Sequence, residues 1–134
     1  MTRPGTAERL DLAPHPEGGW YRRTWTGPLG EGGRPQATAI LFLLAPGESS
    51  ARHTVDADEL WLWHGPGALR LHMGQEQVVL DRSYPQALVP AGTEQRAEPV
   101  EDEVLVSCVV SPGFEWSGFA LTPGDAQPSS WATE

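Results

Sequence analysis

His53 and Glu59 form the one histidine–carboxylate pair of this sequence with motif-like spacing, in the stretch ESSARHTVDADELWLWHGPG, residues 48–67. Imidazole and carboxylate suit a borderline divalent metal, and they also suit general acid–base chemistry near neutral pH. In a purely structural alternative, His53 is a hydrogen-bonded residue at a strand end. Val55 stands where a second histidine would complete a metal site. The stretch is therefore either a metal site that has lost a ligand or a pocket that never needed one.

Strand periodicity predicts which side chains accompany this pair. Because side chains alternate along a strand, Glu59, Trp61 and Trp63 share one face, and His53 and Val55 share a face of the preceding strand. A hairpin of the two strands would bring His53 beside Glu59. We expect Trp61 to lie near the pocket and Trp63 to serve in packing, since aromatic residues supply much of the buried area of a core.

The N-terminal stretch offers further polar candidates. Tyr21 and Arg23 share one face of the strand predicted in GGWYRRTWTG, where an arginine at the mouth of a barrel would hold a phosphate or carboxylate through two hydrogen bonds. A solvated strand face is the alternative. His15 and Glu17, in the run HPEGG, offer acid–base groups, but the proline and the two glycines favour a structural turn into the first strand.

Short strands bounded by turns make up most of the remaining sequence. The run TAERLDL, residues 6–12, predicts one short helix with Thr6 at its N-cap. No stretch after residue 13 has a helical period. The predicted strands cover 18–27, 37–45, 59–64, 68–73, 77–80, 87–90, 94–98, 103–110 and 114–121. This pattern predicts an all-β sandwich or closed barrel.

Length and composition favour one globular domain in a reducing compartment. The chain has 134 residues and a net charge of −9, which disfavours nucleic acid and anionic lipid as partners. The single cysteine, Cys108, excludes an internal disulfide, and the longest apolar run is too short to cross a bilayer. No signal peptide is recognisable, so a cytoplasmic location is expected. The polar tail, 123–134, is expected to be loosely held, with Trp131 packing on the domain or a partner.

The spacing of Gly47, His53, Val55, Glu59 and Gly65 resembles the first conserved motif of the cupins, G-x5-H-x-H-x3-E-x6-G. Two departures stand out: valine replaces the second histidine, and the last glycine falls one residue early.

The run VPAGTEQRA resembles the second cupin motif, with Pro90 and Gly92 in place and Gln95 where a histidine is usual. PHPEGGWYRRTW (14–25) and LVSCVVSPGFEWSGFAL (105–121) are similar to one cupin subfamily that is often labelled predicted sugar epimerase. Glu94 departs from this subfamily, which usually has an aromatic residue there. The resemblance extends over roughly residues 10–122.

The resemblance implies a single cupin domain over 1–134, with a core of about 10–122, built as a small antiparallel β-barrel or jelly roll. It also implies a homodimer and a ligand cavity lined by the two motifs. A missing second histidine is common in the subfamily, so no metal cofactor is favoured. If a divalent metal binds, its ligands are His53, Glu59 and Gln95.

The preferred functional prediction is a barrel pocket that binds a small polar molecule, a sugar or sugar derivative. His53, Glu59 and Gln95 would supply polar contacts and Trp61 an apolar wall, as in most small-molecule sites. Tyr21 and Arg23 are further ligand-binding candidates.

Three alternatives remain open. The first is a metal-independent epimerase or isomerase acting on a sugar or nucleotide sugar, with His53 as base assisted by Glu59 and with Tyr21 or Tyr84 as acid. The second is a metal-dependent cupin enzyme. The third is a protein that works only through its surface.

Overall fold

The computed structural model describes residues 2–122, which form two antiparallel β-sheets, one short α-helix and two turns of 3-10 helix. The helix, α1, covers Gly5–Leu10, and the 3-10 turns cover Glu31–Gly33 and Trp116–Gly118. The strands are β1 Ala13–Pro14, β2 Trp20–Thr26, β3 Thr38–Leu44, β4 His53–Val55, β5 Asp58–Pro66, β6 Leu69–Met73, β7 Glu76–Leu80, β8 Gln86–Val89, β9 Gln95–Pro99, β10 Val104–Ser111 and β11 Phe119–Leu121.

The strands form one six-stranded sheet, in the order β1-β2-β3-β10-β5-β8, and one five-stranded sheet, in the order β11-β4-β9-β6-β7. All strand pairs are antiparallel. The prediction of an all-β jelly roll with a short N-terminal helix is therefore confirmed. The two sheets stay separate and do not close into a continuous barrel.

The core lies between the two sheets and follows the alternation of the strands. Ile40, Cys108, Trp61 and Ala87 are successive register partners across the larger sheet, and all four belong to the core or pack against it. Leu69, Leu71 and Ala97 contribute to the same core from the smaller sheet. Burying such apolar side chains contributes roughly 1.5–3 kcal/mol each.

The short helix packs on the outside of the larger sheet. Ala7 and Leu12 are fully buried there against Trp20 and Leu43. The prediction that Thr6 caps the helix is wrong: Pro4 occupies the N-cap without a side-chain cap, and the Thr6 hydroxyl donates to Glu103 at 2.6 Å. The helix is stabilised by this packing, because six residues are too few to be stable alone.

Two further predictions of local structure are wrong. β4 and β5 do not form a hairpin, because β4 pairs with β9 and β11 in the smaller sheet while β5 pairs with β10 and β8 in the larger one. The strand predicted over 114–121 begins only at Phe119, after a loop and a 3-10 turn. The first difference places His53 of β4 and Glu59 of β5 on opposing sheets.

No helix among residues 2–122 is long and apolar enough to span a membrane. The expectations for the tail and for Trp131 concern residues outside the described part of the chain.

Candidate ligand-binding site

A cavity of about 570 Å³ opens between the larger sheet and the loop that follows β10. Its lining includes residues of β2, β3, β5 and β10, the turn before β2, and the loop itself. Three of its ionisable lining side chains, His15, Glu17 and Glu59, are buried. A cavity of this size accommodates a small organic molecule.

His15 and Glu17 reach the cavity from a sharp turn. The His15 amide donates to the Gly19 carbonyl at 3.0 Å, and the Gly18 amide donates back to His15 at 3.0 Å. Gly18 and Gly19 have φ angles of 110° and 80°, in the region that favours glycine. A Cβ on Gly19 would lie 2.7 Å from the Leu43 carbonyl oxygen, so the turn packs directly on β3. This close packing directs both polar side chains inward.

Glu17 lies between two histidines. His15 Nε2 is 3.5 Å from one carboxyl oxygen of Glu17, and His53 Nδ1 is 3.3 Å from the other. Ser50 hydrogen bonds to the same carboxyl. Because His15 Nδ1 accepts the Glu17 amide at 3.0 Å, the ring proton of neutral His15 lies on Nε2, facing the carboxyl. His53 Nδ1 donates to the Ala51 carbonyl at 2.7 Å.

Glu59 is held by a second chain of hydrogen bonds. The Trp61 indole donates to the Gln95 side-chain oxygen at 3.0 Å, and the Gln95 amide nitrogen donates to Glu59 at 3.0 Å. The Cys108 thiol also hydrogen bonds to this carboxyl. Gln95 comes from β9 of the smaller sheet, whereas Glu59, Trp61 and Cys108 belong to the larger one. The site therefore spans both sheets.

Burial shifts every ionisable group of this cluster toward its neutral form. It raises the pKa of Glu17 to about 8 and, together with the nearby Glu17, raises the pKa of Glu59 to about 7. Burial and the neighbouring His53 lower the pKa of His15 to about 3. Burial also lowers the pKa of His53 and raises the pKa of the Cys108 thiol. Near neutral pH the cavity thus presents groups that donate, accept or exchange protons.

Aromatic rings also line the cavity and flank the His15 ring. Phe114 and Trp116 lie on the loop after β10 and contact each other at 4.9 Å between ring centroids. Trp116 lies 5.6 Å from the His15 ring, and Tyr21 lies 4.5 Å from it on another side. The cavity therefore combines a polar inner end with an apolar wall.

The structure brings His53, Glu59 and Gln95 together, although from different elements. His53 and Gln95 are direct register partners on β4 and β9, and Glu59 faces them from β5. Among the described residues only Glu59 of these three lines the cavity. His53 and Gln95 are each about 1% exposed and support the two carboxyls.

The remaining predicted site residues lie in the cavity wall, in the core or at the surface. Tyr21 and Arg23 both line the cavity, and Arg23 donates to the Phe114 carbonyl at 3.2 Å. Trp61 is buried in the core and does not belong to the lining. Tyr84 lies exposed in the turn between β7 and β8, outside the cavity.

The interpretation of HPEGG as mainly a structural turn understated the part that His15 and Glu17 have in the site. The sequence held a signal: a histidine and a carboxylate two residues apart precede a glycine pair, and such a pair permits close approach of backbones. Trp116 and Ser50 had no recognisable signal, because a tryptophan in a loop and a serine before a strand are common features.

The ligands predicted for a divalent metal are His53, Glu59 and Gln95. Within residues 2–122, no group of three or more His, Cys, Asp or Glu side chains is arranged so that it could hold a metal ion. His53 Nδ1 donates to the Ala51 carbonyl, which leaves its Nε2 for another partner, and the Gln95 side-chain oxygen already accepts from Trp61. The described residues therefore provide no preformed metal centre.

Comparisons with known proteins agree with this architecture. A sequence model of the family described as "Cupin superfamily (DUF985)" matches residues 5–122. The chain is similar to protein SO0799 from Shewanella oneidensis, at 33% identity and a TM-score of 0.80 over 91% of this chain and 85% of that one. It is also similar to a hypothetical protein from Leishmania major, at 29% identity and a TM-score of 0.76 over 87% and 84% of the two chains.

A cupin-2 domain from Rhodospirillum rubrum shares the fold, at 16% identity and a TM-score of 0.62 over 84% of this chain and 71% of that one. A search of the curated proteins found no match. The chain belongs to the cupin superfamily, in the family named by the matching model.

Proposed function

We propose that the cavity binds a small polar organic molecule, a sugar or sugar derivative. The observation that carries this proposal is the pairing of a polar inner end, formed by His15, Glu17 and Glu59, with an aromatic wall that includes Trp116. Sugars present hydroxyl groups along their edges and C–H groups on their faces. Hydrogen-bonding groups opposite an aromatic ring suit both surfaces.

The raised pKa values of the two carboxyls support a contact surface that is partly protonated near neutral pH. Because the pKa values of Glu17 and Glu59 lie at about 8 and about 7, each carboxyl can donate as well as accept hydrogen bonds near neutral pH. A ligand hydroxyl, which also does both, therefore finds complementary partners.

A thermal-shift screen of monosaccharides, sugar acids and nucleotide sugars tests this proposal. We expect at least one compound to raise the melting temperature of the wild-type protein. Trp116→Ala should lose that shift, whereas Tyr84→Ala, which alters an exposed residue outside the cavity, should keep it. If no sugar binds, or if the shift survives in Trp116→Ala, the proposal is wrong.

A second candidate function, metal-independent epimerisation or isomerisation, is favoured by one specific observation. Glu59 lies at the cavity wall with a pKa of about 7, which suits a general base near neutral pH. In this reading Glu59 takes a proton from a sugar carbon, and Tyr21, which also lines the cavity, delivers one. His53 then acts as a positioning residue through Glu17, because its Nδ1 is bonded to backbone.

Isotope exchange tests the second candidate. In D₂O the wild-type protein should place deuterium at a sugar carbon of a ligand found in the screen, and Glu59→Gln should abolish this exchange while retaining binding. If every bound sugar is returned unchanged and without deuterium, the cavity binds but does not catalyse.

We also propose that the protein acts as a cytoplasmic homodimer. The cytoplasmic location is supported by the free, buried thiol of Cys108, which suits a reducing compartment. The dimer is supported by an apolar row on the outer face of the larger sheet. Trp25, Ala39, Val109, Leu60 and Leu88 are successive register partners across five strands of that face.

A second copy can pack on this row despite the net charge of the chain. Two chains with a net charge of −9 repel each other. The residues of the row carry no charge, so a two-fold contact through them brings apolar side chains, and not like charges, face to face.

A further inference from the structure

The charged side chains of the cavity are unequally placed. Its acidic lining residues are Asp11, Glu17, Glu59 and Glu115, and its basic ones are Arg22 and Arg23. Both arginines are exposed and already donate to backbone carbonyls, Arg22 to Leu10 and Arg23 to Phe114. Two of the carboxyls lie at the buried end. The basic groups therefore lie in the exposed part of the cavity and the buried carboxyls at its inner end.

Glu59 has only uncharged hydrogen-bond donors around it. Within the described part of the chain, its carboxyl accepts from the Gln95 amide and the Cys108 thiol, and the nearest imidazole is that of His53. All nine basic residues of the sequence are arginines, so no lysine can supply an ammonium group. The two hydrogen-bond partners of Glu59 thus bring no positive charge to its ionised form, and a cationic group of a bound ligand would supply it.

The aromatic rings of the cavity also suit a cation. Trp116 and Phe114 line the cavity, and Trp116 and Tyr21 both contact the His15 ring. A ligand cation is attracted to the face of such rings. Carboxyl and aromatic groups in one cavity are a combination that recognises an ammonium group more strongly than a hydroxyl.

We propose that the ligand of this cavity carries a primary amino group, as an amino sugar does, and that its ammonium binds Glu59 in the cavity that Trp116 also lines. The inference rests on the proposed function, because it names the chemical class of ligand for the same cavity. Glu17 adds a second carboxyl at the same buried end, and its contacts with His15 and His53 fix its position.

Matched probes separate the amino group from the rest of the ligand. Titration calorimetry at pH 7 would compare D-glucosamine with D-glucose and N-acetyl-D-glucosamine, and the same three compounds in the galactose configuration. We expect the free amine to bind about 10- to 100-fold more tightly than the hydroxyl and acetylated compounds, the advantage of a hydrogen bond between charged groups. Equal affinities overturn the inference.

A substitution of Glu59 tests whether this carboxyl causes the preference for the amine. Glu59→Gln should remove the preference for the amine, since a neutral amide offers no negative charge to an ammonium group. Glu76→Gln, which changes an exposed residue of β7, should keep the preference. A preference that survives Glu59→Gln overturns the assignment.

The outcomes distinguish this inference from the proposed function. If glucose and glucosamine bind equally, the sugar pocket stands and the amino group is wrong. If none of the six compounds binds, the inference fails, and the broader sugar screen alone decides the proposed function. The wild-type comparison does not depend on the folding of any variant.

Discussion

The Gln95 side chain links two buried groups, the Trp61 indole and the Glu59 carboxyl. It accepts from Trp61 and donates to Glu59, so one amide satisfies a buried indole and orients a buried carboxyl. The sequence resemblance to the second cupin motif places Gln95 where a histidine is usual, and its contacts in the structure are those of a bridge between the two sheets.

Gln95→Leu should therefore reduce the free energy of unfolding by about 1–3 kcal/mol, the cost of leaving a buried polar group without its partner. Urea denaturation followed by fluorescence measures the change. Gln77→Leu, an exposed substitution on β7, is the control and should change stability far less. A Gln95→Leu protein as stable as the wild type would contradict the role of the bridge.

The buried Glu17 makes stability depend on pH in a definite direction. Its pKa rises from 4.5 in the unfolded chain to about 8 in the folded one, so the folded protein holds the proton more tightly. The corresponding stability is fully present below pH 4.5, falls as the pH rises toward 8, and is lost above it. Because one pKa unit is worth about 1.4 kcal/mol, the loss from this group reaches up to about 5 kcal/mol.

Comparison with Glu17→Gln isolates this effect. We expect the unfolding free energy of the wild type to fall relative to that of Glu17→Gln between pH 5 and 8, since glutamine does not titrate. Denaturation curves of the two proteins, recorded side by side at several pH values, give the difference in unfolding free energy. Parallel pH profiles for wild type and variant would show that Glu17 titrates normally.

At the scale of elements, the Arg34 side chain connects the loop after β10 to the neighbouring turn. The Arg34 side chain donates to the Gly113 carbonyl at 2.7 Å and to both carboxylate oxygens of Asp56, at 2.7 and 3.2 Å. Gly118 packs directly on Asp56. This bidentate contact lowers the pKa of Asp56, and it connects the loop that carries Phe114 and Trp116 to the turn between β4 and β5.

Arg34→Ala should loosen this loop without unfolding the sheets. We expect hydrogen exchange of the Gly113 and Phe114 amides to accelerate about fivefold, as a loss of about 1 kcal/mol implies. Arg82→Ala, in an exposed turn, serves as the control. Unchanged exchange at both amides would mean that the backbone bonds to Pro35 and Thr38 suffice to hold the loop.

At the scale of the whole molecule, the outer face of the larger sheet carries an exposed apolar surface. Trp25 and Leu88 at the ends of its row are 50% and 52% exposed. The helix α1 covers the neighbouring part of this face around Leu43, but the row itself stays open in the single chain. Exposed apolar rows of this kind mark interaction surfaces.

Leu60→Glu should convert the proposed homodimer into a monomer, because two buried glutamates would face each other across the two-fold contact. Size-exclusion chromatography with light scattering measures the mass. Val79→Glu, on the outer face of the smaller sheet, should leave the dimer intact. A wild-type protein that is monomeric at micromolar concentration would contradict the proposal.

Alternation and turn chemistry are local, and the sequence by itself therefore determined most of the strands. Each predicted strand between residues 18 and 110 has a counterpart in the structure. The prediction that His53 and Val55 share one face of their strand is confirmed, because both are buried. The two motifs also placed Glu59 and Gln95 within one site. These features follow from residue order alone, because neighbours along a strand face opposite sides whatever the strand pairs with.

Only the tertiary structure decided how the site is assembled. His15, Glu17, His53 and Glu59 meet because the turn before β2 packs on β3 and because β4 and β5 belong to opposing sheets, which the expected hairpin did not allow. Sheet pairing and the packing of one sheet on another join residues far apart in the chain. Their burial, and with it the shifted pKa values, arises from that non-local packing, so no spacing in the sequence could reveal it.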